Sequence, residues 1–320
     1  MTPPGSDHFN GKTFFNPGGP AERGLLDVLR WQFSSRPARW PQWVEIAPSL
    51  PPPAPAPAGA SVTATWVNHS TFLLQTAGHT LLTDPVFSAR VSPVAWAGPR
   101  RVHAPGITFE SLPKIDTVLL SHDHYDHCDL PSLRRLAREH QPVFVAPLGH
   151  HALLTGAGAK RIVELDWWQA HELAPDLTVT VTPSRHWSRR SAGGTNRRLW
   201  GGFYLHTAAR RVWFLGDSGY DEALFRDIGR RCGAPDLALI PIGAYEPRWF
   251  MSAAHLNPAE AVLAHRDSGA RQSVAMHWGT FQLTDEGREH PVQALEQARA
   301  EAGVSAESFR VLAPGESLGV

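Results

Sequence analysis

The sequence predicts an α/β sandwich, and two observations support this fold class. Short apolar segments follow one another closely early in the chain, whereas later apolar segments alternate with stretches of helical length. Closely spaced strands are typical of hairpins, and strands that alternate with helices are typical of βα units. A chain that contains both kinds of unit is expected to pack its helices against its sheets.

The individual elements are predicted from hydrophobic periodicity and from turn residues. Strands are predicted at 62–67, 71–76, 80–83, 117–120, 143–146, 177–182, 203–206, 212–215, 237–242 and 273–276. Helices are predicted at 130–139, 258–267 and 292–302, and a short amphipathic segment at 24–31 is a further helix candidate.

The chain divides into two regions by composition. Residues 1–60 are predicted to form an N-terminal extension, and its Pro/Ala-rich run at 48–57 is expected to be an extended, solvated linker. Residues 61–320 contain the strand and helix patterns and are predicted to form one folded domain. The full length of 320 residues is sufficient for a large core.

The composition excludes several classes of protein. Lys+Arg and Asp+Glu both number 30, so no broad basic surface for nucleic acid is expected. Two cysteines cannot form a disulfide framework, which suits a reducing compartment. No apolar run approaches the roughly 20 residues of a membrane span, and the N-terminus lacks a secretory pattern. We therefore expect a cytoplasmic protein, and the 12 tryptophans leave peripheral membrane contact open.

A dense cluster of histidine and aspartate follows the predicted strand 117–120. Three imidazoles and two carboxylates lie within 122–127, and both groups are usual ligands of zinc-like ions. His186, Asp217 and His277 each follow another predicted strand. Because loops at strand ends of a rigid sheet commonly carry the chemistry of α/β proteins, these side chains are expected to meet in one metal site.

The pattern His-x-His-x-Asp-His at 122–127 resembles the signature of the metallo-β-lactamase fold. This resemblance implies an αββα sandwich that binds metals at one edge, and residues 61–320 would form that hydrolase domain. A closer similarity, from about residue 16 to residue 316, is to N-acylphosphatidylethanolamine-hydrolysing phospholipases D. It is carried by the segments 84–87, 121–127, 164–168, 214–220, 240–251 and 277–281, of which 240–251 is the most specific.

The resemblance implies two zinc ions, or other divalent ions, and a set of seven ligands. One ion would be held by His122, His124 and His186, the second by Asp126, His127 and His277, and Asp217 would bridge both. Three ligands each and one shared group leave an open position on each ion, which is typical of catalytic sites. A water shared by the two ions would be the nucleophile, so Asp126 and Asp217 would be catalytic residues.

Further site residues are predicted around these ligands. His69 and Asp84 are candidates for orienting the ligand imidazoles, although His69 could instead stabilise a local turn. His255 is expected at the pocket edge, where it would contact the phosphate or the leaving group, or else it would only flank the helix at 258–267. Tyr245 lies in the specific segment 240–251 and is a candidate for substrate binding.

Three features of the sequence each allow more than one role. Arg248 could bind the substrate phosphate, or it could pair with Glu246 or a backbone carbonyl. The arginine-rich stretch 188–198 could be a flexible pocket rim or a solvated loop. Cys128 follows a predicted ligand, and a small buried filler is favoured over a metal donor or a nucleophile.

The sequence therefore predicts a zinc-dependent phosphodiesterase that hydrolyses N-acylphosphatidylethanolamine-like lipids in the manner of a phospholipase D. The alternatives are other hydrolases of the same fold, namely a lactonase, a thioesterase or a phosphonate-ester hydrolase, because a fold does not determine the substrate. The resemblance also implies a homodimer and an apolar groove that faces a membrane, on its inner face if the protein is cytoplasmic. The expected partner is a phospholipid or a small phosphodiester, and no nucleic acid.

Overall fold

Two β-sheets packed face to face occupy the centre of the molecule. The computed structural model describes residues 6–19, 24–46, 61–76, 78–191 and 193–320. The first sheet contains β1 (Val62–Asn68), β2 (Thr71–Thr76), β3 (His79–Thr83), β4 (Thr117–Leu119), β5 (Val143–Pro147) and β6 (Arg161–Leu165). The second contains β7 (Ala170–Ala174), β8 (Leu177–Thr182), β9 (Gly202–Thr207), β10 (Arg211–Phe214), β11 (Leu237–Pro241), β12 (Gln272–Met276) and β13 (Phe309–Arg310). The last strand, β14 (Ser317–Gly319), returns to the first sheet and pairs antiparallel with β1.

Each sheet has an antiparallel half and a parallel half. Strands β1, β2 and β3 pair antiparallel, and β3 to β6 pair parallel. The second sheet repeats this arrangement, because β7 to β10 pair antiparallel and β10 to β13 pair parallel. The sequence pattern of hairpins followed by βα units thus occurs twice along the chain.

Helices cover the outer faces of both sheets. The helices are α1 (Leu25–Ser34), α2 (Leu130–Glu139), α3 (His151–Gly156), α4 (Glu222–Cys232), α5 (Arg248–Met251), α6 (Pro258–Asp267) and α7 (His290–Ala302). Leu133 of α2 and Leu154 of α3 belong to the apolar cluster on the outer face of the first sheet. Phe225 of α4, Val262 of α6 and Leu295 of α7 belong to the corresponding cluster on the second sheet. A third cluster joins the two inner faces, so the predicted αββα sandwich is confirmed.

The elements with clear periodicity agree best with the prediction. Strand β8 and the helices α2 and α6 begin and end at the predicted residues. The prediction missed β6, β7, β13, β14, α3, α4 and α5, of which β6 and α4 are the most instructive. Most of β6 is only partly buried, so it lacks the apolar run of an inner strand. Helix α4 is rich in charge and buries only two side chains, which hides its helical period among polar residues.

The described part of the predicted N-terminal extension packs against the sandwich. His8 Nε2 lies 2.7 Å from Asp166 Oδ1, and Phe14 is buried in the cluster between the sheets. Further along, Trp31 of α1 stacks on Phe250 with a centroid distance of 5.0 Å. The predicted linker at 48–57 lies outside the described residues, and the boundary at residue 60 stays a prediction.

Replacement of His8 by Gln is expected to destabilise the protein in a pH-dependent manner. Burial alone would lower the pKa of His8, but the carboxylates of Asp166 and Asp7 outweigh burial and raise it. Protonated His8 therefore stabilises the fold at low pH, and this contribution is lost as pH rises through the raised pKa. We expect a loss of roughly 1–2 kcal/mol in the free energy of unfolding near pH 5.5 and a smaller loss near pH 8.5, measured by urea denaturation.

The matched control for this measurement is His151→Gln. His151 is exposed and its hydrogen bond to Glu164 is made by the backbone N–H, so loss of its imidazole should change stability little at either pH. An equal loss of stability by His8→Gln at both pH values would contradict a charged His8.

Candidate metal centre

Four strand ends carry the predicted ligands to one edge of the sandwich. Strand β4 leads into residues 121–128, which we call the ligand loop and which contain His122, His124, Asp126 and His127. The strands β8, β10 and β12 of the second sheet run in the same direction and are followed by His186, Asp217 and His277. One edge therefore receives side chains from both sheets.

The first histidine cluster consists of His122, His124 and His186. His124 Nδ1 lies 2.9 Å from His122 Nε2 and 3.2 Å from His186 Nε2. Three imidazole nitrogens this close together could bind one metal ion. Two separate chain segments, the ligand loop and the end of β8, build this cluster.

The second cluster consists of Asp126, His127 and His277. Asp126 Oδ2 lies 3.4 Å from His127 Nε2 and 3.3 Å from His277 Nε2, and the two Nε2 atoms are 3.2 Å apart. One carboxylate oxygen and two imidazole nitrogens thus face one another within the reach of a single ion.

Asp217 lies between the two clusters. Its Oδ2 atom is 3.2 Å from both His127 Nε2 and His277 Nε2, and 3.8 Å from His186 Nε2. Its other oxygen, Oδ1, is buried and has no hydrogen-bond partner among the described residues. A buried carboxylate oxygen needs a partner, and a cation would supply it. The donor set of five imidazoles and two carboxylates therefore fits divalent metal ions, and its assignment as ligands stays a proposal.

Asp84 contacts candidate ligands in both clusters, directly or through Ser121. Its Oδ2 atom accepts hydrogen bonds from His127 Nδ1 at 2.7 Å and from Ser121 Oγ at 2.5 Å. The same serine oxygen lies 2.9 Å from His122 Nδ1, and the Ser121 backbone N–H donates to Asp84 Oδ1 at 2.7 Å. Because the Nδ1 of His127 is bound in this way, Nε2 is the nitrogen that faces the centre.

His69 supports the second cluster from the opposite side. Its Nε2 atom lies 3.0 Å from Asp126 Oδ2, and its carbonyl oxygen accepts a hydrogen bond from the backbone N–H of His277 at 3.0 Å. The Thr280 hydroxyl accepts from the His69 N–H at 3.1 Å, and the Nε2 of buried His103 lies 3.0 Å from the same oxygen. His69 is therefore placed where a ligand-orienting residue would lie.

The backbone is strained at three of these positions. His69, Asp84 and His277 have φ values of 45°, 31° and 61°, in the left-handed region that bulky residues rarely adopt. Such conformations cost about 1–3 kcal/mol each and persist when the surrounding contacts fix them. The hydrogen bonds of His69 and Asp84 supply these contacts.

Burial and mutual repulsion determine the charge of the imidazoles. Burial and the neighbouring imidazoles hold the pKa of His122 well below its ordinary value, and burial does the same to His186. Burial would also lower the pKa of His277, but the carboxylates of Asp217 and Asp126 outweigh burial and raise it to about 9. The two carboxylates are therefore held ionised, and a proton on His277 balances part of their charge.

Solvent reaches the centre along one side. The side chains of His127, His186, His277 and Asp217 are at most 1% exposed, whereas Asp126 is 14% and His255 is 16% exposed. His124 is also partly exposed, and the half-exposed ring of Trp187 lies 4.4 Å from its ring centre. Together with Trp187, these partly exposed groups mark the opening of the site.

Comparison with known proteins identifies the family. A family model described as a beta-lactamase superfamily domain matches residues 79–278. The chain belongs to this superfamily. N-acyl-phosphatidylethanolamine-hydrolyzing phospholipase D 1 of Caenorhabditis elegans is 38% identical to it over 69% of this chain and 64% of its own length. An uncharacterized protein of Mycobacterium tuberculosis is 40% identical over 86% of this chain and 73% of its own length.

A solved structure shows the same fold. A metallo hydrolase from the archaeon Ignicoccus hospitalis superimposes with a TM-score of 0.62 and 23% identity, covering 82% of this chain and 99% of its own. The prediction of a hydrolase of this fold is thus confirmed at the level of the superfamily. In the described part of the chain, no helix is long and apolar enough to cross a membrane.

The three remaining predicted site residues differ in their distance from the centre. His255 Nδ1 lies 3.8 Å from Asp217 Oδ2, and burial lowers its pKa to about 4. The Arg248 guanidinium instead binds both carboxylate oxygens of Glu260, at 2.8 and 2.9 Å. Tyr245 is largely buried, and burial raises its pKa to about 12. The substrate-binding roles of Arg248 and Tyr245 stay predictions.

Arg248 nevertheless influences the site through the backbone. Its Nη1 atom donates to the carbonyl oxygen of His255 at 2.9 Å, and the Ala254 carbonyl lies 2.9 Å from His186 Nδ1. The ion pair of Arg248 with Glu260 therefore fixes the turn that precedes α6, and this turn orients a candidate ligand. The sequence also allowed a pair between Arg248 and Glu246. In the structure, only the backbone N–H of Arg248 donates a hydrogen bond to the Glu246 carboxylate.

Cys128 is fully buried in the apolar cluster beneath α2. Burial raises the pKa of its thiol to about 12, so the thiol is not poised as a nucleophile. The interpretation of Cys128 as an apolar filler agrees with this position.

Two important residues escaped the sequence reasoning. Ser121 links Asp84 to His122, and Glu286 accepts hydrogen bonds from the backbone N–H groups of Ala244, Tyr245 and Glu246. Neither residue type is distinctive, and their partners are distant in sequence. The position of Ser121 directly before the first histidine was the one available signal.

Replacement of Asp84 by Asn should weaken metal binding at the second cluster. Asp84 accepts at both oxygens, whereas asparagine has one acceptor oxygen, so its NH2 group would face a donor, either the Ser121 N–H or the pair Ser121 Oγ and His127 Nδ1. Loss of such a supporting contact typically costs roughly 10–100-fold in metal affinity. Competition with a chromophoric chelator would measure the zinc dissociation constants.

Asp129→Asn is the control for Asp84→Asn. Asp129 is another buried carboxylate, but its partners are Ser88, Ser132 and the backbone of Phe87. We expect reduced stability without a change in zinc affinity. Equal zinc affinity in both variants and the parent would remove Asp84 as an orienting residue.

Proposed function

We propose that this protein is a zinc-dependent phosphodiesterase that hydrolyses N-acylphosphatidylethanolamine-like lipids in the manner of a phospholipase D. The observation that carries the proposal is the position of Asp217 between two clusters of three candidate ligands each. The substrate class is supported by the similarity to the C. elegans relative whose name states this activity.

We assign one zinc ion to the first histidine cluster and one to the second cluster, with Asp217 shared by both. Zinc ions in such a site lower the pKa of bound water and stabilise charge on phosphoryl oxygens. The nitrogen and oxygen donor set would also suit other divalent transition metals. The chain's contribution is to orient the imidazoles and to keep the carboxylates ionised, and a bound ion would displace the proton from His277.

The residues at the opening would receive the phosphate. His255 is neutral at neutral pH because burial lowers its pKa to about 4, so one of its nitrogens carries a hydrogen that can donate to a phosphoryl or leaving oxygen. Trp187 offers an exposed apolar face beside His124 for the alkyl part of a lipid. Hydrolysis joins a water oxygen to phosphorus and breaks the bond between phosphorus and the ethanolamine oxygen. The ethanolamine oxygen takes up the proton that the water loses and leaves as N-acylethanolamine, and the other product is phosphatidic acid.

A lipid substrate would require access to a membrane surface. Leu26 and Phe33 of α1 and Trp96 are between 80% and 88% exposed, which supports peripheral membrane contact. This contact, a location at the inner face of a membrane, and a homodimer remain predictions.

The substrate class can be tested with the purified, zinc-loaded protein. Three substrates should be offered: N-acylphosphatidylethanolamine in mixed micelles, bis(p-nitrophenyl) phosphate and an acyl-homoserine lactone. We expect release of N-acylethanolamine, detected by mass spectrometry, and slower turnover of the simple diester. Turnover of the lactone without either phosphodiester would favour a lactonase and overturn the proposal.

Replacement of Asp217 by Asn should lower the zinc content and reduce turnover by at least about 100-fold, because a neutral amide cannot bridge two cations as a carboxylate does. Zinc content is measured by inductively coupled plasma mass spectrometry. Asp267→Asn is the control, since Asp267 contacts only Tyr220 and Arg226 among the described residues. An Asp217→Asn protein with parental zinc content and rate would exclude Asp217 from the centre.

A further inference from the structure

The arginine-rich loop 188–198 contains two pairs of adjacent arginines, Arg189–Arg190 and Arg197–Arg198. The second arginine of each pair faces the protein. Arg189 and Arg197 are exposed, whereas Arg190 and Arg198 are partly buried and bind the ligand loop. Of the two alternatives for this stretch, a solvated loop does not describe the two inward arginines, and a pocket rim stays a prediction.

Arg190 spans the ligand loop with a single nitrogen. Its Nη1 atom donates to the carbonyl oxygen of Asp123 at 3.0 Å and to that of Cys128 at 2.8 Å. The guanidinium also lies over the ring of Tyr125 at 4.2 Å, and the Tyr125 hydroxyl donates to the Arg190 carbonyl oxygen at 2.8 Å. These contacts hold both ends of the segment that contains His124, Asp126 and His127.

Arg198 holds the same loop through a charge. Its Nη1 atom lies 2.8 Å from Oδ2 of Asp123, a fully buried carboxylate between His122 and His124. A buried carboxylate is costly without a cationic partner, so this ion pair fixes the backbone between two candidate ligands.

The base of the loop is tied to the third ligand of the same cluster. Ser188 lies two residues after His186, and its Oγ donates to the Arg198 carbonyl oxygen at 2.5 Å. The backbone N–H of Ser188 donates to Asn196 Oδ1 at 3.1 Å, and the Asn196 N–H donates to the Ser188 carbonyl oxygen at 2.8 Å. The loop therefore begins beside His186, closes on itself, and reaches across to the ligand loop.

We propose that Arg190 and Arg198 are positioning residues that hold the ligand loop in register with His186 and thereby set the metal affinity of the first histidine cluster. This inference rests on the metal sites of the proposed function, but not on its substrate. Asp84 and His69 contact His127 and Asp126 of the second cluster directly, whereas Asp84 reaches the first cluster only through Ser121 and His122. Loss of the arginines should therefore affect the ion of the first cluster more than the other.

The test uses Arg190→Ala and Arg198→Ala in the full chain, with Arg189→Ala and Arg197→Ala as matched controls. Zinc per chain is measured after dialysis, and Co²⁺ titration followed by visible absorption distinguishes the two sites. We expect each inward variant to bind one of the two ions at least about tenfold more weakly, and each exposed control to match the parent. Arg198→Lys keeps a cation for Asp123 and should restore most of the affinity.

Two outcomes would overturn the inference. One is unchanged affinity for both ions in the inward variants. The other is equal weakening of both ions in proportion to the fall in melting temperature, which indicates general destabilisation. Should an alanine variant fail to fold, Asp123→Asn and Arg190→Lys test the same contacts. Because no substrate is used, absence of phosphodiesterase activity would leave this result intact, whereas a parent chain that binds no metal would refute the metal centre itself.

Discussion

Asp126 and Asp217 bring two carboxylates into a nearly closed space among five imidazoles, and the arrangement of the whole centre depends on balancing their charge. Their oxygens lie 3.2–3.4 Å from the Nε2 atoms of His127 and His277. In such surroundings positive charge must be present, either as protons on imidazoles or as bound metal ions. The two carboxylates raise the pKa of His277 to about 9, so a proton on this imidazole would supply part of that charge when no cation is bound.

The fold brings together candidate ligands that no single segment of the chain could supply. The ligand loop comes from the first sheet, and His186, Asp217 and His277 come from the second. Each sheet is rigid, so the separation of the two sets depends on how the sheets pack and on the contacts between their loops. The inner apolar cluster fixes the packing, while the hydrogen bonds of Asp84, His69 and the loop 188–198 fix the loops.

The sequence predicted the candidate ligands of this centre better than the contacts that hold the surrounding loops in place. His122, His124, Asp126 and His127 are dense enough to be recognised alone, and His186, Asp217 and His277 could be added because each follows an apolar strand. The contacts of Arg248 with Glu260 and of Arg198 with Asp123 could not be predicted, since any arginine has many candidate partners before folding. The same limit hid β6 and α4, whose polar sequences become elements only through neighbours distant in the chain.

The left-handed backbone at His69, Asp84 and His277 has a consequence for how this protein can change over time. Glycine would relax each of these positions, yet it would remove an imidazole or a carboxylate that the centre uses. Selection for folding alone would therefore favour residues that abolish the site, and selection for activity retains the strained ones. A lineage that lost its need for the reaction would be expected to accumulate glycine or asparagine at these three positions first, which would leave a stable sandwich without a catalyst.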